Sequence, residues 1–269
     1  MQSKNPVFAR KDAFRTAGYG QPASPDQLQA MYDAPAYQGP TQTGRRMTID
    51  DVVARTAMTL GVLVVVAALA WYAVPLDSPM LFPVFVGAAL VGLGLGFFMG
   101  LKHVTNPALI LTYAAVEGVF IGLASKVIVY FVGGGSTDLV MQAVLGTLGA
   151  AAAMLAVYKF EIVRVTPKFT KWLIAATAGF FVVTLLSVVL SFFGLGMGLR
   201  GFGMMGLIVS FIGAALASFN LLLDFEYVKQ GIQQGAPEKD SWFAAFGLTV
   251  TLVWLYIEIL RILAILRGD

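Results

Sequence analysis

The chain contains no cysteine, a single histidine and few charged residues. Without cysteine it can form no disulfide, no thiolate metal site and no thiol nucleophile. His103 alone cannot build a multi-histidine metal site or a histidine relay. Charged residues make up 12% of the 269 residues, whereas an average protein has roughly 25%. With 58% hydrophobic residues and a mean hydropathy of +0.79, the composition is typical of an integral membrane protein.

Seven apolar stretches are long enough to cross a hydrocarbon core about 30 Å thick, which takes about 20 helical residues. Turns rich in proline and glycine separate them. The predicted spans are 53–74, 81–100, 107–132, 139–160, 171–193, 202–228 and 242–266. The predicted fold class is therefore all-α, a polytopic membrane bundle of about seven transmembrane helices. Arg261 and Arg267 beside the C-terminus leave a re-entrant last segment as the alternative to a seventh crossing.

Residues 1–46 lack apolar periodicity and are rich in Gln, Pro, Gly, Ala and Tyr, so we expect a disordered basic tail before a transmembrane domain at 47–269. The tail has no apolar segment followed by a small-residue cleavage site, which predicts that the first span is an uncleaved anchor. Most Lys and Arg residues of the short loops fall on the tail's side of the bundle. That asymmetry predicts a cytoplasmic N-terminus.

Small residues cluster within two of the predicted spans and are expected to form helix-packing faces, because lipid supplies no hydrophobic drive between helices. The second span contributes one set and the fourth span the other: Gly92, Gly94, Gly96 and Gly100, and then Gly146, Gly149 and the alanines at 150–153.

Four carboxylates lie within the predicted spans: Glu117, Asp224, Glu226 and Glu258. An ionisable group near mid-membrane costs a few kcal/mol to insert, so it usually faces the protein interior or water and indicates a functional pathway. Asp224 and Glu226 are two residues apart and point to different faces of a helix. Glu258 lies one turn before Arg261, a spacing that permits an ion pair.

Each carboxylate also has a purely structural interpretation. Glu258 and Arg261 can form a static pair, and Asp224 or Glu226 can extend towards Lys229 at the interface. Glu117 has no cation near it in sequence, which favours a functional role or a protonated carboxyl, because burial favours the neutral form.

Two stretches near the C-terminus combine carboxylates with apolar residues, 219–232 (FNLLLDFEYVKQGI) and 252–263 (LVWLYIEILRIL). The first resembles the acidic motif that ends the sixth helix of the Bax inhibitor-1 family, and the second resembles the last helix of that family. Residues 5–8 (NPVF) and 47–51 (MTIDD) are similar to a bacterial branch, the YccA-type proteins. The resemblance implies seven helices, with the last near the centre of the bundle, in a bacterial plasma membrane.

Characterised members of that family look like pH-sensitive calcium leak channels, in which a carboxylate late in helix six and another in helix seven share a proton. The resemblance places the first on Asp224 or Glu226. The second falls near Thr251, which cannot ionise, and Glu258 is the alternative two turns further on. The buried arginine that some relatives carry in the second span has no counterpart here.

The leading hypothesis is a passive or gated cation pathway, for calcium or protons, in which Asp224, Glu226, Glu117, Glu258 and Arg261 line or gate the interior. Asp224 and Glu226 would make transient calcium contacts. The alternative is a regulator that transports nothing and binds other membrane proteins, such as a membrane protease.

Other functions are disfavoured. Neither a His-Glu-x-x-His zinc motif nor a Gly-x-Ser-x-Gly with a histidine partner occurs, and no inverted repeat indicates a coupled transporter. We therefore expect no enzyme activity, no cofactor and no nucleic-acid partner, with the lipid bilayer as the surrounding medium.

Overall fold

A computed structural model describes residues 45–132, 134–193 and 201–268, so the tail predicted at 1–46 lies almost entirely outside the described residues. The described part contains seven helices, each long and apolar enough to span a membrane, which confirms the predicted fold class. They are α1 (Ile49–Ala73), α2 (Leu81–Lys102), α3 (Pro107–Phe131), α4 (Asp138–Lys159), α5 (Pro167–Phe192), α6 (Met204–Gln233) and α7 (Asp240–Gly268).

Several helices extend beyond the apolar stretches because polar capping residues add turns that hydropathy does not count. α1 begins four residues early, at a capping box in which Thr48 and Asp51 satisfy each other's backbone N–H groups. α5 likewise begins at Pro167, behind the Thr166 cap. α6 continues through polar residues to Gln233, five residues past its predicted end.

The last helix is the centre of the bundle. α7 packs against α1, α3, α4 and α6, and most of its apolar window is buried within the protein. It is one continuous helix of 29 residues, about 43 Å long at 1.5 Å per residue. A re-entrant segment would have to turn back within the membrane, so that alternative is wrong.

α1 and α3 approach each other closely at two glycines outside the predicted packing faces. A Cβ added to Gly118 would lie 2.6 Å from the Leu63 carbonyl oxygen, and one added to Gly122 would overlap the Ala67 carbonyl group. Glycine at these positions therefore lets the two backbones touch.

The predicted glycine faces are only partly used. Gly92, Gly96 and Gly146 contact neighbouring helices through the side chains of Glu117, Tyr113 and Ile259. At Gly94, Gly100 and Gly149 no described atom outside the local helix lies within 4 Å of an added Cβ, so the prediction is wrong there. Their side of the helix faces outward, and a small residue is not required.

A buried lysine caps the end of α1. The Lys126 side chain on α3, which is 8% exposed, donates to the carbonyl oxygens of Trp71 at 2.7 Å and Val74 at 2.6 Å. These are among the last carbonyls of α1, where a cation also interacts favourably with the helix dipole. α1 and α3 therefore run parallel and end together.

Candidate functional site

Polar groups lie on both sides of the midpoint of α7. Trp254 is the fifteenth of the 29 residues of the helix. Thr251 lies about 4.5 Å before it along the axis and Glu258 about 6 Å after it. A hydrocarbon core extends about 15 Å to either side of its centre, so both side chains lie well inside a membrane that α7 crosses symmetrically.

Asp224 of α6 meets Thr251 of α7. The Thr251 hydroxyl, which donates to the Gly247 carbonyl at 3.2 Å, lies beside the Asp224 carboxyl. An added Cβ at Gly247, one turn earlier on α7, would lie 3.7 Å from Asp224 Oδ1. The second oxygen, Oδ2, is shielded from solvent and has no hydrogen-bond partner among the described residues. A carboxyl oxygen buried in this way is costly, which makes it a feature that packing alone does not explain.

Glu258 lies in a tight recess formed by α5 and α6. The residue is 1% exposed, and its Oε1 accepts a hydrogen bond from the Trp254 indole at 3.3 Å. An added Cβ at Gly213 would lie 2.8 Å from Glu258 Cδ and 2.7 Å from the Phe180 ring. Glycine at position 213 is therefore what makes room for the carboxyl.

Arg261 is buried one turn beyond Glu258 and is 5% exposed. Its Nε donates to Ser210 Oγ at 3.2 Å, and its guanidinium carbon lies 4.8 Å from the centre of the Phe202 ring. These contacts attach the later part of α7 to the beginning of α6. The predicted Glu258–Arg261 ion pair stays a prediction.

Trp254 separates the two polar levels along α7. Its ring lies 5.6 Å from Phe180 and 4.8 Å from Phe181, both on α5. The polar residues that face each other across α6 and α7 are here called the α6–α7 lane; they are Ser210, Asp224, Thr251, Glu258 and Arg261. Ser210 and Trp254 were not among the predicted site residues, since a lone serine or tryptophan in an apolar helix gives no chemical signal.

Glu226 lies outside the lane. It accepts hydrogen bonds from the Tyr158 hydroxyl on α4 and from the Gln230 amide, both at 2.8 Å. The sequence left open which of the two neighbouring acids faces the last helix, and in the structure it is Asp224. Glu226 instead joins α6 to α4.

Glu117 is also separate. Its Oε2 lies against Gly92 of α2, where an added Cβ would be 2.8 Å away. No described residue gives it a hydrogen bond or an ion pair. The structure therefore brings Asp224, Glu258 and Arg261 to the same helix interface and leaves Glu117 at the α2–α3 contact.

The described residues contain no cluster of side chains suited to tight metal binding. No group of three or more His, Asp or Glu side chains within residues 45–132, 134–193 and 201–268 is placed to hold a metal ion. Tight calcium binding takes six to eight oxygen ligands. The α6–α7 lane contains carboxylate and hydroxyl oxygens that are separated from one another, an arrangement that suits brief contacts with a metal ion and not tight binding.

The fold and its buried carboxylates define a polytopic membrane protein built around an apolar last helix that carries a few buried polar side chains. A family model described as Bax inhibitor 1 like matches residues 5–268. The chain belongs to this family, which confirms the resemblance drawn from the two C-terminal stretches. A comparison with curated proteins finds no match.

Proposed function

We propose that the protein passes cations, calcium in particular, across a membrane along the α6–α7 lane. The observation that carries this proposal is the Asp224 carboxyl, which lies within the span of α6 and has one shielded oxygen with no partner among the described residues. Charged side chains inside membranes are rare, and they usually belong to ion pathways or proton relays.

The chemistry of the lane supports a hard cation. Carboxylate and hydroxyl oxygens are the ligands that calcium accepts, and here they come from Asp224, Thr251, Glu258 and Ser210. Conduction requires binding that is favourable enough to enter and weak enough to leave. Oxygens distributed over two levels meet that requirement better than a closed cage.

The arrangement corresponds to a closed state. Trp254 lies between Thr251 and Glu258 along α7 and packs against Phe180 and Phe181 of α5. An ion that passes this aromatic level would lose its oxygen ligands. Opening would require α7 to shift relative to α5 and α6. Since Thr251 occupies the place opposite Asp224, a proton-sharing pair of carboxylates is not expected there.

The membrane orientation belongs to the same proposal. The asymmetry of Lys and Arg between the two sets of loops supports a cytoplasmic N-terminus in a bacterial plasma membrane. Calcium would then move down its gradient towards the side on which α1 and α7 begin.

Calcium entry into liposomes tests the proposal. The purified protein, reconstituted around an entrapped calcium-sensitive dye, is expected to give a faster fluorescence rise than protein-free liposomes of the same lipid after calcium is added outside. A rate equal to that of protein-free liposomes at every pH between 5 and 8 would contradict transport. The remaining interpretation would be the regulator that binds other membrane proteins.

A further inference from the structure

The segment before α1 is paired with the connection between α6 and α7. Met47 N donates to the Ala236 carbonyl at 2.9 Å, and Glu238 N donates to the Arg45 carbonyl at 2.8 Å. Arg46 and Pro237 thereby form one antiparallel bridge. The two hydrogen bonds are made by the residues on either side of Arg46 and Pro237, and not by this pair itself. Pro237 therefore needs no N–H, and proline fits at this position.

Side chains reinforce this pairing. Met47 is 3% exposed and its Cε would lie 3.4 Å from an added Cβ at Gly231. Gly235 has a φ of +70°, a left-handed conformation that ends α6 and turns the chain back along residues 45–47. The connection is therefore shaped to receive this segment.

Arg55, on the first part of α1, adds a charged attachment. Its guanidinium donates to the carbonyl and the carboxylate of Glu238 and to the Ser241 hydroxyl, and it lies 5.3 Å from the Trp242 ring centre. Charge-assisted hydrogen bonds of this kind are about twice as strong as neutral ones. Arg55 was not among the predicted site residues, although a cation inside a predicted span is itself a signal.

We propose that residues 45–48 together with Arg55 form a strap that holds the α6–α7 hairpin closed, so that releasing the strap increases cation flow. The strap joins α1 to the turn between the two helices that carry Asp224 and Thr251. Contacts made in the closed arrangement and lost on opening stabilise the closed state. The inference rests on the proposed function, because the flow it regulates is that of the α6–α7 lane.

A reversible cross-link across the bridge tests the strap. In a non-hydrogen-bonded antiparallel pair such as Arg46 and Pro237, the two Cα atoms lie about 4.5 Å apart, which is within the range that a disulfide can bridge. The chain has no cysteine, so Arg46→Cys with Pro237→Cys supplies the one thiol pair. Oxidation is expected to form the disulfide in high yield and to lower the calcium rate below that of the reduced protein, with recovery after reduction. The single Arg46→Cys variant under the same oxidant is the control.

Weakening the strap should have the opposite effect. Glu238→Gln removes the ion pair with Arg55 and is expected to raise the calcium rate about fivefold or more, within the usual range of coupling between two sites. Lys239→Gln is the matched control, because it changes an exposed neighbour in the same turn. Hydrogen exchange of the backbone amides of residues 47 and 238 should accelerate in Glu238→Gln, and this readout does not depend on flux.

The outcomes separate the two proposals. If the wild-type protein gives no flux but the disulfide forms and the exchange result holds, the transport proposal fails and the pairing stands. If the wild type conducts and both the cross-link and Glu238→Gln leave the rate unchanged, the strap proposal is wrong. Failure of the two thiols to join in folded protein would contradict the pairing itself.

Discussion

Replacement of Asp224 by asparagine is expected to lower the calcium rate in liposomes about tenfold or more. Asparagine has nearly the same shape and keeps a hydrogen-bonding oxygen for Thr251, so the change removes charge rather than packing. A cation at this depth in a membrane depends on a compensating negative charge. A tenfold loss corresponds to about 1.4 kcal/mol in the barrier, a modest value for one charge in a low-dielectric interior.

Glu226→Gln is the control for this result, because it removes the same charge two residues away on the same helix. Glu226 is already satisfied by Tyr158 and Gln230 outside the α6–α7 lane. We expect its calcium rate to stay within about twofold of the wild type. Equal losses of calcium rate in both variants would show that the rate depends on negative charge anywhere near the end of α6, and would contradict a specific role of the α6–α7 lane.

Gly122→Ala is expected to destabilise the fold strongly, because the added methyl group would overlap the Ala67 carbonyl on α1. That group is backbone and cannot swing away, so α1 and α3 would have to separate. Overpacking of this kind typically costs about 1–3 kcal/mol in the free energy of unfolding. The expected result is a lower thermal unfolding midpoint in detergent and less folded protein after purification.

Gly149→Ala is the matched control for that prediction. It also places a methyl group on a glycine within a membrane helix, but no described atom outside the local helix lies within 4 Å. Alanine is favoured over glycine in a helix by up to about 1 kcal/mol. Its unfolding midpoint should equal or exceed that of the wild type, and a loss like that of Gly122→Ala would refute the assigned α1–α3 contact.

Composition and hydropathy were sufficient to predict the fold class, because a chain in lipid must satisfy its backbone within helices. Helix ends were harder to predict, since caps such as Thr48 and Thr166 are polar and lie outside apolar stretches. The spacing of Gly118 and Gly122 is the small-xxx-small pattern of close helix pairs, so that contact could have been found. Whether a given glycine meets another helix, as Gly92 does and Gly94 does not, depends on neighbours that one sequence does not identify.

The candidate site was predictable in part. The cost of charge in a membrane selected four carboxylates from sequence alone, of which the structure brings Asp224 and Glu258 to the α6–α7 interface and leaves Glu117 and Glu226 outside it. The family resemblance placed the position opposite the helix-six acid near Thr251, but the recess around Glu258 was not predictable, since it depends on how Gly213 of α6 packs against α7. Arg55 and Lys126 are cations near or within apolar segments, and they attach helix ends to one another. The cost of charge in a membrane, which selected the carboxylates, is equally a reason to single out these two cations.

The most direct test of the ion pathway is to block it at the level of Asp224. Thr251→Cys places a single thiol in a chain that has none, and a small positively charged methanethiosulfonate reagent would attach a cation there. We predict that modification reduces calcium flux to the protein-free rate, whereas the same reagent on Glu226→Cys leaves flux near its starting value. Full modification at position 251, verified by mass spectrometry, with undiminished flux would contradict a pathway between α6 and α7.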